Sequence, residues 1–187
     1  MTRSRPKPPT RMTEAKLAEA AVFYLSRYAS SSGNLRQVLR RKLKRSAEFY
    51  EDDPSALLPV IETIVARHTA TGAIDDSAYA ESQVRKLRRR GGSARIIGQR
   101  LMAKGVPGEI IAESASTPDA IVEDRAAAMV FARRRRLGPF RTGPRTEYRQ
   151  KDLAAMGRAG FDYAVAAMVI DATDPDSLAE LLRESGD

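Results

Sequence analysis

Apolar residues recur along most of the chain at the three- to four-residue spacing of an amphipathic α-helix. The first such segment carries five of them, at positions i, i+4, i+7, i+8 and i+11: Leu17, Ala21, Tyr24, Leu25 and Tyr28. Similar stripes continue toward the C-terminus, and no segment alternates with the period of two that a half-buried β-strand requires. The pattern therefore predicts an all-α protein.

Turn and capping residues divide these stripes into nine helices and one short acidic turn at 175–182. We expect Asp75 to cap the fourth helix, with Ile74 and Tyr79 packing across its first turn. Gly105 and Gly160 are expected to end the fifth and eighth helices, because glycine readily adopts the positive φ that often follows a helix. The third helix has two possible starts, at Asp53-Pro54 or at Pro59.

The nine helices fall into three groups of three, which indicates an internal repeat. The groups span residues 13–72, 73–116 and 117–171, between a flexible, basic, Pro-rich arm at 1–12 and an acidic segment at 172–187. Leu101 precedes Gly105 by four residues, as Met156 precedes Gly160. Repeats of this kind bury their apolar faces against neighbouring repeats. We therefore expect an elongated tandem array of three three-helix units.

Residues able to support catalysis are scarce. The chain has no cysteine and one histidine, His68, which lies on the apolar stripe of the third helix. The adjacent carboxylates at 52–53 and 75–76 stand at helix starts, and adjacent residues on a helix do not face each other. Gly91-Gly92 lacks the strand and lysine of a phosphate-binding loop. We expect no enzymatic activity, no cofactor and no metal site.

Positive charge is the strongest remaining signal. The chain has 32 Lys and Arg against 24 Asp and Glu, a net charge of +8. The surplus lies in three basic tracts, at residues 36–45, 85–104 and 133–151, and the first two contain no acidic residue. Repeated tracts suit a polyanionic partner such as single- or double-stranded DNA. The candidate partner-binding residues are Arg36, Arg40, Arg41, Lys44, Arg85, Arg88, Arg89, Arg95, Arg133, Arg134, Arg135 and Arg136.

Other segments bear on location and assembly. No window approaches the roughly 18 consecutive apolar residues of a membrane span, and the basic N-terminal stretch lacks the apolar core of a secretory signal. No heptad seam suggests a dimerisation helix. We expect a cytoplasmic monomer that does not associate with membranes.

Residues 72–85, GAIDDSAYAESQVR, resemble the most recognisable motif of the RecX family of recombination regulators. That motif has Gly, an aliphatic residue, Asp-Asp, an aromatic residue with Ala, and Val-Arg. The likeness continues through Gly91, Gly92 and Arg95 to LMAKGV at 101–106, and it extends to residues 20–43 and to LGPFR at 137–141. Where the family's first middle helix usually ends in Lys-Gly, this chain has a longer acidic joint at 45–54.

The resemblance implies three tandem three-helix units that lodge in the groove of a RecA–DNA filament. It further implies that the protein restrains ATP hydrolysis and strand exchange, and so regulates recombination, DNA repair and the SOS response. The residues alone predict the helical repeat and the basic surface, whereas RecA as the partner rests on the resemblance. The alternative is a DNA-binding transcriptional regulator, in which 78–90 and 93–104 form a helix-turn-helix.

Overall fold

The computed structural model describes residues 8–115 and 120–184, and the regular structure in these ranges is helical throughout. This confirms the all-α prediction. The α-helices are α1 Glu14–Leu25, α2 Ser32–Tyr50, α3 Leu58–Ala70, α4 Asp76–Arg88, α5 Ala94–Ala103, α6 Gly108–Ala115, α7 Ala120–Arg135, α8 Arg145–Arg158, α9 Tyr163–Asp171 and α10 Pro175–Glu184. Short 3₁₀ turns occupy Ser55–Leu57 and Gly138–Phe140. The first nine helices follow one another as three tandem groups of three, as the sequence predicts.

Two elements differ from the sequence-based expectation. The third helix begins at Leu58, with Pro59 in its first turn and a 3₁₀ turn before it, so Asp53-Pro54 starts the 3₁₀ turn and not the helix. The C-terminal segment forms the ten-residue helix α10 in place of a short turn. Asp174 caps its start by accepting the N–H groups of Asp176 and Ser177, and Leu178 is fully buried. Burial of that leucine stabilises a helix too short to persist alone.

The chain folds as two compact units. The first contains the described residues up to Tyr79 together with Lys104–Pro107, and the second contains Ala80–Ala103 and the described residues from Gly108 onward. The core of the first unit consists of Leu17, Ala21, Leu35, Leu39, Leu43, Ile61, Ile64, Val65 and Ile74. The core of the second is richer in small residues, because three alanines of α7 (Ala127, Ala128 and Ala132) pack with α9.

A junction within the first unit joins the start of α2 to the ends of other helices. Ser31 caps α2 by accepting the N–H of Asn34 at 3.1 Å, and its hydroxyl donates to the carbonyl oxygen of Lys104. The carboxylate of Asp76 accepts the backbone N–H of Ser32 at 2.7 Å and its hydroxyl at 2.6 Å. Gly105 has φ +66° and packs directly on Gly33. These bonds satisfy helix-end groups that would otherwise be buried without a partner.

The same junction occurs a second time, within the second unit. Ser93 accepts the N–H of Ile96 at 3.3 Å and donates to the carbonyl oxygen of Ala159 at 2.7 Å. Asp124 accepts the N–H of Ala94 at 2.8 Å. Gly160, with φ +92°, packs against Ser93. A serine, an aspartate and a positive-φ glycine therefore hold the start of the middle helix at both places.

Candidate functional site

The first basic tract lies on α2, and much of its charge is used within the fold. Arg36 and Arg40 both bind Glu62 on α3, at 2.7 and 2.9 Å. Partial burial opposes ionisation of Glu62, but the two arginines hold the pKa of its carboxyl below the usual range. Lys44 approaches Glu48 at 3.7 Å. Arg41 is exposed and forms no ion pair within the described part of the chain.

Residues of the second tract have different surroundings. Arg88 is only 15 % exposed; it pairs with Asp124 and approaches Glu123 at 3.4 Å. Arg85 pairs with Glu81 at 3.2 Å, and Arg95 donates to the carbonyl oxygen of Gly157 at 2.9 Å. Arg89 is exposed, with no ion-pair partner among the residues that the structure describes. The sequence nominates Arg88 as partner-binding, whereas its contacts give it a role in holding α4 to the start of α7.

The third tract begins at the C-terminal end of α7. Arg134 donates to the carbonyl oxygen of Arg90 at 2.7 Å. The guanidinium of Arg133 lies over the ring of Phe140 at 5.5 Å, and that of Arg135 lies 6.0 Å from the centre of the Phe131 ring. Arg136 follows the helix with φ +54° and is exposed.

Residues from the second and third tracts meet in one open cavity of about 590 Å³ in the second unit, which we call the arginine groove. Four arginines line it together with apolar and small residues, and no carboxylate does. The lining residues are Leu87, Arg90, Gly91, Gly92, Ile96, Arg100, Phe131, Arg134, Arg135 and Ala159. The sequence nominates Arg134 and Arg135, but not Arg90 or Arg100. In the sequence, Arg90 and Arg100 are marked only by belonging to the second tract. The three-dimensional arrangement alone distinguishes these two arginines from the other basic residues of that tract.

Close packing of the α4–α5 turn on α7 creates the groove. Gly91 has φ +77°, and a Cβ atom there would lie 2.6 Å from the backbone nitrogen of Phe131. The turn's own amides are already satisfied, since Gly91 donates to Arg88 and Gly92 to Leu87. The groove's donors for a ligand are therefore its guanidinium groups.

Three acidic side chains of the second unit pair with arginines that lie outside the groove. Asp124 pairs with Arg88, Asp152 with Arg141, and Asp171 with Arg149 at 2.6 Å. Neither Arg90 nor Arg100 forms an ion pair within the described part of the chain. The groove consequently concentrates positive charge that no neighbouring carboxylate neutralises, which suits it to a polyanion.

Three other features of the described residues concern metal ligands, the single histidine and membrane spans. Their His, Cys, Asp and Glu side chains form no cluster of three able to hold a metal ion. His68 is half-buried on α3, and its Nε2 has no hydrogen-bond partner among the residues described. Of the helices in the described ranges, none has both the length and the apolar character needed to cross a membrane.

Fold and site together define an all-helical protein of tandem three-helix groups with a basic groove. The family model described as the second three-helix domain of RecX matches residues 75–114 of this chain. The chain is 41% identical to the regulatory protein RecX of Myxococcus xanthus, over 89% of this chain and 90% of that protein. It is 31% identical to the regulatory protein RecX of Agrobacterium fabrum, over 84% of this chain and 83% of that one.

A crystal structure of a regulatory protein RecX superposes with a TM-score of 0.60 and 25% identity, covering 84% of this chain and 71% of that one. The chain belongs to the RecX family of regulatory proteins, and the resemblance carried by residues 72–85 is confirmed.

Proposed function

We propose that this protein binds the RecA–DNA filament in the cytoplasm and restrains its ATPase and strand-exchange activities. It thereby acts mainly as a negative regulator of homologous recombination and DNA repair. Membership of a family of regulatory proteins supports a regulatory role. The observation that carries the proposal is the arginine groove, whose unneutralised charge complements a filament that presents DNA phosphates and protein carboxylates.

The proposed interface centres on basic side chains that are not already paired within the fold. In the second unit it comprises the arginine groove, the exposed Arg89 and Arg136, and Arg85, Arg95 and Arg133. On α2, in the first unit, the proposed contact residues are Arg36, Arg40, Arg41 and Lys44. Arg88 is excluded, because contact with a partner would have to break its largely buried pair with Asp124.

The decisive experiment measures ATP turnover by RecA on single-stranded DNA, with and without this protein. Wild-type protein is expected to lower the rate, and the variant Arg100→Glu/Arg135→Glu to lower it less at the same concentration and salt. Lys86→Glu/Lys151→Glu is the matched control, since both lysines are exposed, lie outside the groove and change the net charge equally. Unchanged turnover with wild-type protein would contradict the proposed function. Equal inhibition by both variants would show that the arginine groove does not contribute to the inhibition of RecA.

A transcriptional regulator is the alternative, suggested by the succession of α4 and α5, two helices joined by a short turn as in a helix-turn-helix. Such proteins insert the first turn of the second helix into the DNA major groove. In this protein the start of that helix is already engaged in the fold, because the buried Ser93 donates to the carbonyl oxygen of Ala159 and the exposed Arg95 donates to that of Gly157. Tighter, sequence-selective binding to naked duplex DNA than to the filament would favour this alternative.

A further inference from the structure

We propose that residues 8–12, which we call the strap, close the C-terminal end of α2 and keep that end from associating with a second copy of the chain. The sequence predicts a flexible arm at 1–12. In the structure, residues 8–12 form no regular secondary structure, yet they are bonded to the end of α2 within the first unit.

Side chains at the end of α2 hold the strap in place. The hydroxyl of Tyr50 donates to the carbonyl oxygen of Pro9 at 2.8 Å. The guanidinium of Arg11 donates through two nitrogens to the carboxylate of Asp52, with its Nε at 2.8 Å, and lies over the ring of Tyr50. The strap is therefore held through both its backbone and its charge.

Apolar surface of the first unit lies against the strap. The backbone N–H of Met12 donates to the hydroxyl of the buried Ser46 at 2.9 Å, and Met12 packs against the core of this unit. Met12 also lines a cavity of about 300 Å³ together with the apolar residues Leu43, Ala47 and Leu57. The strap thus shields apolar side chains that its departure would expose.

The ends of the other two middle helices are covered differently. At the ends of α5 and α8, a glycine with positive φ packs directly against the start of the preceding group's middle helix; these glycines are Gly105 and Gly160. The residue that follows each glycine, Val106 or Phe161, is apolar and buried. A neighbouring three-helix group therefore covers each of these two helix ends.

The end of α2 has the same backbone course but different residues. The N–H of Asp52 donates to the carbonyl oxygen of the residue five positions earlier, as the N–H of Phe161 does after α8. Glu51, at φ +56°, takes the place of the glycine, and Asp52 takes that of the buried apolar residue. A side chain in the glycine's place obstructs such packing, since a Cβ on Gly105 would lie 2.8 Å from the Cα of Gly33. The acidic joint therefore suits the strap and not another three-helix group.

This arrangement gives the strap a purpose in a repeat protein. The outer face of the first repeat needs a cover that keeps it soluble, because it has no neighbouring repeat to pack against. The pair of Arg11 and Asp52 is exposed to solvent, so it holds the strap only weakly and the strap can open. Opening uncovers Leu43 and Ala47 near Phe49, which packs on Tyr50 and is already 56 % exposed. A second copy carries the same apolar surface, and two such surfaces can pair symmetrically.

The first measurement follows the rate at which trypsin cleaves the full chain after Arg11. Arg5 and Lys7 precede prolines, and trypsin does not cleave such bonds, so the product that begins at Met12 reports opening of the strap. The variant Asp52→Asn/Tyr50→Phe should be cleaved about tenfold faster than the wild type, because an ion pair and a hydrogen bond are lost.

Asp53→Asn is the matched control. It removes the same charge one residue away, but the carboxylate of Asp53 binds Ser55 and makes no bond to the strap. This control should be cleaved at the wild-type rate. If circular dichroism shows that the double variant has lost helix, Asp52→Asn alone replaces it, with cleavage expected to be severalfold faster.

Analytical ultracentrifugation over a range of concentrations measures self-association of the same variants. The double variant should dimerise as its concentration rises, whereas the wild type and the Asp53→Asn control should stay monomeric. Equal cleavage of the double variant and the control would overturn closure by the strap. Faster cleavage without self-association would overturn its role against a second copy. Neither measurement contains RecA or DNA, so both results are independent of the function proposed above.

Discussion

At the scale of single residues, hydrogen bonds at helix ends organise this protein. The two adjacent carboxylates Asp75 and Asp76 illustrate this, because they serve different helices. Asp75 accepts the N–H of Ala78 at 2.9 Å in the first turn of α4, whereas Asp76 binds Ser32 at the start of α2. The family's Asp-Asp motif therefore combines a local cap with a long-range one.

Replacement of Asp75 tests the local cap. Asp75→Ala should lower the free energy of unfolding by about 1 kcal/mol, the typical cost of losing an N-cap. Urea denaturation followed by circular dichroism measures the loss. Inhibition of RecA per folded molecule should stay at the wild-type level, and a loss of inhibition without a loss of stability would instead place Asp75 in the partner interface.

Only part of the residue-scale structure is visible in the sequence. Gly105 and Gly160 stand out because each follows an amphipathic stripe, and both have positive φ in the structure. The helix end at Arg136, also at positive φ, gives no such signal because it is not a glycine. Ser93 and Ala159, 66 residues apart in the chain, give none either, since local spacing cannot show which distant carbonyl group a serine will meet.

At the scale of helices, glycines set how closely neighbouring elements approach. Gly91 and Gly72 both have positive φ, yet their surroundings differ. A Cβ on Gly91 would clash with the backbone of α7, whereas a Cβ on Gly72 would meet nothing within 4 Å.

This difference provides a matched pair of substitutions. Gly72→Ala should cost about 1–2 kcal/mol, because an L-residue is strained at that φ. Gly91→Ala should cost clearly more, since the α4–α5 turn must also move away from Phe131. Thermal denaturation of both variants measures the difference. Equal losses would mean that the turn can shift freely, and that the groove does not depend on this close approach.

Ion pairs between helices make stability depend on pH. Hydrogen bonds from Arg149 lower the pKa of Asp171, against the opposing effect of partial burial, and Arg36 and Arg40 lower that of Glu62 despite its burial. A carboxyl whose pKa is lower in the folded than in the unfolded state contributes stability above its unfolded pKa, about 4. That contribution disappears as the pH falls through the folded pKa.

Stability should therefore change little through these groups between pH 7 and about pH 5, and fall below about pH 4. Asp171→Asn should be less stable at pH 7 by under about 1 kcal/mol, because the pair is partly exposed, and should lose less stability on acidification. Urea denaturation at a series of pH values measures both effects. A parallel fall of variant and wild type would show that Asp171 does not contribute.

At the scale of the whole molecule, the helical repeat and the net charge of +8 are the dominant properties. We expect a monomer whose far-UV circular dichroism is almost purely helical. Analytical ultracentrifugation over a range of concentrations checks the monomeric state. A concentration-dependent dimer would favour the transcriptional alternative, because such regulators pair two helix-turn-helix motifs. A strand content near the 20–25% typical of globular proteins would contradict the helical expectation.

The sequence alone establishes the helical class, the grouping in threes and the three basic tracts. Each of these depends on local periodicity or on a sum of charges, and neither requires knowledge of distant contacts. Local periodicity does not decide whether the third helix starts at Asp53-Pro54 or at Pro59. It also does not predict the helix α10, because burial of Leu178 stabilises a segment that its own sequence would leave as a turn.

The choice among the arginines belongs to the tertiary structure. Arg88 and Arg100 lie in the same tract, yet Arg88 is paired with Asp124, 36 residues away, while Arg100 lines the groove. The free charge of an arginine depends on whether folding brings a carboxylate to it, and that carboxylate comes from a different helix. For this reason the sequence locates the positive charge of this protein, but only the packing of α4, α5 and α7 determines which part of it is available to a partner.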